Sequence, residues 1–185
     1  MWTLPNVLTL ARVGLIPVFV ITFYLPFTGM RLMCAILFAI ASLTDWLDGY
    51  LARKWQQTSP FGAFLDPVAD KLMVAVALVL LVQAKPYPHL AIPSAIIIGR
   101  EITVSALREW MAELGTRTTV AVSKIGKIKT MAQMLAIFLL LLDKSILGLS
   151  LFHVGWTLLC IAALLTLWSM TMYLKAAWPS LIRCN

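Results

Sequence analysis

Apolar runs long enough to cross a bilayer recur from one end of this 185-residue chain to the other. A hydrocarbon core about 30 Å thick takes about 20 helical residues to span. Six such runs can be read, at about 7–26, 31–54, 63–84, 90–113, 119–142 and 150–174. Inside lipid each backbone polar group needs a partner within the protein, and separate runs of this length meet that demand as helices. The expected fold class is therefore all-α: a polytopic membrane protein with six transmembrane helices, in a single domain over residues 1–185. The breaks, at Pro26 to Gly29, Thr58 to Gly62, Lys85 to His89, Gly115 to Thr118 and Asp143 to Gly148, are short and rich in Pro, Gly or polar residues. No long soluble loop intervenes, so any activity belongs in or at the membrane. The first run contains Arg12 and lacks a basic start and a small-residue cleavage site, so it reads as a retained helix and not a signal peptide.

Charge orients the bundle. With the N-terminus in the cytoplasm, twelve of the fifteen Lys and Arg residues fall toward that side, leaving Arg31, Lys85 and Lys144 opposite. Seven of the eight acids, all but Asp143, share the cytoplasmic half. The positive-inside rule does not ask for those acids, so a polar apparatus is gathered at one end. The net charge of +7 suits anionic lipid head groups. No soluble basic domain exists to carry nucleic acid, and no nucleic-acid partner is expected. Cys34, Cys160 and Cys184 have the spacing of neither a zinc site nor a disulfide framework and read as apolar filler.

The acids that matter are Asp45, Asp48, Asp66 and Asp70, in the segment D-W-L-D-G-Y-L-A-R, eight residues, G-A-F-L-D-P-V-A-D. Asp45 and Asp48 are spaced i, i+3, and Asp66 and Asp70 i, i+4, so each pair shares one helix face. Antiparallel packing of the second and third spans brings the pairs together. From Arg31 to Asp45 is roughly 21 Å of helix, which sets the site shallowly below the cytoplasmic surface. Ionisable groups in a membrane segment are costly and mark function. Four carboxylates this close need cations, and hard oxygen ligands suit Mg²⁺, Mn²⁺ or Ca²⁺ and not zinc. Gly49 and Gly62 leave room for a phosphate or sugar to approach the backbone, and Arg53 offers a planar fork to phosphate oxygens. The competing structural reading pairs these acids with Arg53 and Lys71 alone.

Written as D-x2-D-G-x2-A-R-x8-G-x3-D-x3-D, the segment resembles the signature of the CDP-alcohol phosphotransferase family, and every fixed position is present. The resemblance implies six membrane helices, a cytosol-facing site for two Mg²⁺ or Mn²⁺ ions, and a homodimer. It implies that Asp45, Asp48, Asp66 and Asp70 ligate the metals, with Asp70 also the catalytic base. It assigns Gly49, Ala52, Arg53 and Gly62 to CDP binding. Asn6, Thr9 and Arg12 share a face at the start of the first span; they contact the nucleotide or cap that helix, and the family pattern tilts Asn6 toward CDP.

Further stretches, P-N-V-L-T-L-A-R, G-R-E-I-T-V-S-A-L-R-E-W and V-S-K-I-G-K-I-K-T, resemble the bacterial branch of the family that joins CDP-diacylglycerol to glycerol 3-phosphate. That branch implies a location in the bacterial cytoplasmic (inner) membrane, among membrane lipids. A phosphorylated acceptor needs a basic pocket, and Arg100, Arg108, Lys124 and Lys127 are its candidates. Glu101 is a salt-bridge partner or an orienter of one of these bases. Arg117 and Lys129 read as topology determinants or lipid anchors. Within the family, cardiolipin synthase and phosphatidylinositol phosphate synthase are the alternatives. The alternative from another class is a divalent-cation transporter, but such proteins place their ligands near the midplane between repeats, and none is evident here.

Overall fold

Chain breaks set the architecture. In the computed structural model, residues 4–55, 60–86, 88–113, 124–146 and 149–183 are described, with side chains for 7–45, 47, 65, 68–86, 88–107, 109–111, 129–145, 150–172 and 174–175. Six helices follow one another: α1 (Leu4–Tyr24), α2 (Met30–Trp55), α3 (Pro60–Ala84), α4 (Pro88–Glu113), α5 (Lys124–Leu142) and α6 (Leu151–Arg183). Gly29, at φ 112°, takes a conformation that side-chain-bearing residues avoid and turns α1 into α2. Asp143, at φ 42°, closes α5 in the left-handed region that Asp tolerates. Pro17 and Pro93 lie inside α1 and α4 without ending them.

These boundaries follow the apolar runs, with two differences. Helix α6 runs on to Arg183, past the expected end at 174. The expected start of the fifth span, at 119, lies outside the described residues, and α5 is described from Lys124. The break after Asp143 holds a minimal antiparallel ladder of β1 (Ser145–Ile146) and β2 (Leu149–Ser150), where a simple turn was expected. Among the described residues, three helices are long and apolar enough to cross a membrane, over Val7–Tyr24, Pro88–Met111 and Leu151–Met172.

Helices α5 and α6 share the most extensive contact, and α1 packs on α2 and α3. Gly155 explains the first: a Cβ there would meet Leu140 Cγ at 3.0 Å and the Ala136 carbonyl at 3.1 Å, so the two backbones approach because no side chain intervenes. Ser42 reaches Met134 Sδ at 3.7 Å and joins α2 to α5. Phe38, Leu78, Ile97, Ile137 and Leu159 form a fully buried middle layer drawn from five helices.

At one end of the bundle, Asp143 accepts from Arg31 and from Lys85, whose Nζ is 2.7 Å away. Lys85 also stands 4.0 Å above the Phe152 ring. Two of the three cations that sequence placed on the far side thus meet the one acid placed there.

Candidate active site

At the other end, α2 carries Asp45, Asp48, Gly49, Ala52 and Arg53 in its last turns, and α3 carries Gly62, Asp66 and Asp70 in its first three. The two described carboxylates meet at one cation. Arg12 Nη1 donates to Asp45 Oδ1 at 2.7 Å and lies 3.8 Å from Asp70 Oδ1. Arg12 is 1% exposed, whereas Asp45 and Asp70 are 35% and 38% exposed. The guanidinium therefore stands behind the carboxylates, which keep their outer sides open. Lys71, adjacent to Asp70 in sequence, turns away and donates to Ser105 on α4. Arg12, not Lys71, is the base that faces these acids among the described residues.

A second polar cluster joins α4, α5 and α6. Glu101 Oε1 accepts from Arg100 Nη1 and from Lys129 Nζ, both at 2.9 Å. Arg100 Nη2 donates to the Ser169 hydroxyl at 3.1 Å. Ser105, the acceptor from Lys71, donates to the Glu101 carbonyl at 2.5 Å. Lys71 and Ser105 thus connect the helix of Asp70 to this cluster. The sequence reading of Lys129 as a topology determinant or lipid anchor is corrected: the side chain is buried and bound to Glu101. Glu101 acts both as salt-bridge partner and as orienter, since one oxygen fixes two cations. Glu101 thus ties two buried cations, one from its own helix and one from α5, into a single cluster.

Lys129 and Arg12 had a legible signal. Lys129 and Gln133 are buried on the α5 stripe that continues to Ile137 and Leu140, and Thr9 and Arg12 are buried on the α1 stripe that continues to Phe19. Polar residues at i, i+3 or i, i+4 along a core-facing stripe are candidates for an internal polar site.

The structure brings together Asp45 with Asp70, and Arg100 with Glu101 and Lys129. The side chains of Asn6, Asp48, Gly49, Ala52, Arg53, Gly62, Asp66, Arg108, Lys124 and Lys127 lie outside those described, though each residue falls within a helix. No group of three or more metal-ligating side chains gathers among the described residues. The described pair nonetheless fits a hard divalent cation. Its donors are carboxylate oxygens, already gathered on one positive charge, with their outer sides open.

The sequence model described as CDP-alcohol phosphatidyltransferase matches residues 2–168. A protein of Pectobacterium atrosepticum is 55% identical over 183 residues, covering 98% of each chain. One of Yersinia pestis is 55% identical over 185 residues, covering 97% of each. One of Sodalis glossinidius is 55% identical over 176 residues, covering 94% of each. All three relatives are named CDP-diacylglycerol–glycerol-3-phosphate 3-phosphatidyltransferase. With an unbroken aspartate signature on α2 and α3, and a family match over most of its length, this chain belongs to the CDP-alcohol phosphatidyltransferase family.

Proposed function

We propose that this chain transfers the phosphatidyl group of CDP-diacylglycerol to glycerol 3-phosphate, giving phosphatidylglycerol phosphate and CMP. The observation that carries the reading is the convergence of Asp45 and Asp70, one from each half of the signature, on Arg12. The relatives' shared name and their near-complete coverage supply the substrates. The buried bases around Glu101 suit the phosphate of the acceptor.

Asp45, Asp48, Asp66 and Asp70 would hold Mg²⁺ or Mn²⁺, two ions in this reading. When bound, these ions neutralise the pyrophosphate and stabilise the departing CMP. Asn6, Gly49, Ala52, Arg53 and Gly62 bind the CDP moiety. Arg100, Arg108, Lys124 and Lys127 bind the acceptor phosphate, with Lys129 and Glu101 holding Arg100 in place. Asp70 takes the proton from the primary hydroxyl of glycerol 3-phosphate. That oxygen forms a bond to the phosphorus carrying diacylglycerol as the bond to CMP breaks. A shallow site suits one lipid and one soluble substrate. The single domain crosses the bacterial inner membrane six times, as a homodimer, with the site facing the cytoplasm.

The test is CMP release by purified protein with CDP-diacylglycerol and Mg²⁺ or Mn²⁺, with glycerol 3-phosphate, inositol phosphate, serine and phosphatidylglycerol as parallel acceptors. Release with glycerol 3-phosphate alone is expected. Release with another acceptor keeps the chemistry and overturns the acceptor. No release with any acceptor, from folded protein that binds metal, overturns the reading.

A further inference from the structure

We infer that Arg12 is a built-in counter-cation of the metal site: it holds Asp45 and Asp70 together when no ion is bound, and it lowers the site's affinity for the ion. The inference rests on the reading above that these aspartates are metal ligands. Sequence left Arg12 between nucleotide contact and helix capping, and the geometry points elsewhere. Its Nη1 is 2.7 Å from Asp45 Oδ1 and 3.8 Å from Asp70 Oδ1, carboxylates of two different helices. Its side chain is 1% exposed, so it approaches from the protein side, opposite the open side that a cation from solution would reach.

The physical consequence has a definite sign. Without a metal, carboxylates set this close repel each other, and one buried guanidinium offsets that repulsion and fixes α1 to α2 and α3. With a divalent ion at the same carboxylates, the guanidinium becomes a like charge a few ångströms away with little solvent to screen it. Arg12 therefore trades ion affinity for an assembled empty site. It also leaves the loaded site more positive, which favours a pyrophosphate substrate.

The experiment compares wild type, Arg12→Gln and Arg12→Lys as full-length protein in detergent. Mn²⁺ binding is read by electron paramagnetic resonance of the free ion, and thermal unfolding is followed with and without Mn²⁺. Arg12→Gln keeps donors and loses the charge. It is expected to bind Mn²⁺ roughly tenfold or more tightly than wild type. Its metal-free midpoint falls, and a larger Mn²⁺-induced rise restores it. Arg12→Lys, which keeps the charge, stays within about threefold of wild-type affinity. Affinity unchanged or weakened in Arg12→Gln overturns the inference and makes Arg12 an orienting group. Asp70→Asn serves as the control: if it binds Mn²⁺ like wild type, the metal-ligand reading fails and not the role of Arg12 alone.

Discussion

Glu101→Gln tests the buried cluster most directly. The wild-type carboxylate takes two cations on one oxygen, each at 2.9 Å, with Lys129 4%, Arg100 9% and Glu101 24% exposed. At an effective dielectric of about 20, each contact is worth about 6 kcal/mol of Coulomb attraction, most of it offset by desolvation. Removing the charge leaves two cations buried near one another, and breaking such a pair costs about 3–5 kcal/mol. The quarter exposure of Glu101, and the amide oxygen that Gln still offers, place the expected loss near the lower bound, about 3 kcal/mol. Stability is to be read by reversible denaturant unfolding in mixed micelles. The decisive variant is the double substitution Glu101→Gln with Lys129→Met, which removes one of the two cations that Glu101 balances and should recover about half of the loss. A single variant within about 0.5 kcal/mol of wild type, or a double variant whose loss is the sum of the two singles, would refute the reasoning.

Asp70→Asn should abolish turnover while CDP binding, read by calorimetry, changes little; persistent turnover removes Asp70 as the base. Asp143→Asn keeps a residue suited to φ 42° but strips the charge between Arg31 and Lys85, and should lower stability by about 1–2 kcal/mol in thermal unfolding, an effect that high salt reduces. Gly155→Val puts a branched side chain where even a Cβ would stand 3.1 Å from a backbone oxygen, so α5 and α6 must part and stability should fall by about 2–3 kcal/mol. Wild-type stability in Gly155→Val would show that the α5–α6 contact is looser than described.

Helix number and order were legible because the punctuation is chemical: Pro26 to Gly29 holds the one glycine at φ 112°, and the signature residues sit on α2 and α3 as their spacing requires. The partners of single bases were not legible. Lys129 shares a helix face with Gln133, and Arg12 with Thr9, but spacing does not say what those faces meet. Their partners lie 28 and 33 residues away, on other helices. Asp143 stood out in sequence as the misplaced acid, but its role as shared partner of Arg31 and Lys85 needs the ends of α2, α3 and α5 in space. The two-residue ladder after it was illegible for a simpler reason: two strand residues carry no period.

The layer of Phe38, Leu78, Ile97, Ile137 and Leu159 stands between the polar tier of Asp45, Asp70 and Lys129 and the far clamp of Arg31, Lys85 and Asp143. Phe38 lies seven residues from both Asp45 and Arg31, about 10 Å each way. The buried hydroxyls of Thr22, Ser94 and Thr166 bond to carbonyls of their own helices. A charge entering this layer from either end meets hydrocarbon side chains, and its solvation cost there is many times thermal energy. In this respect the layer is an electrical insulator: it separates the charges gathered at one end of the bundle from those at the other.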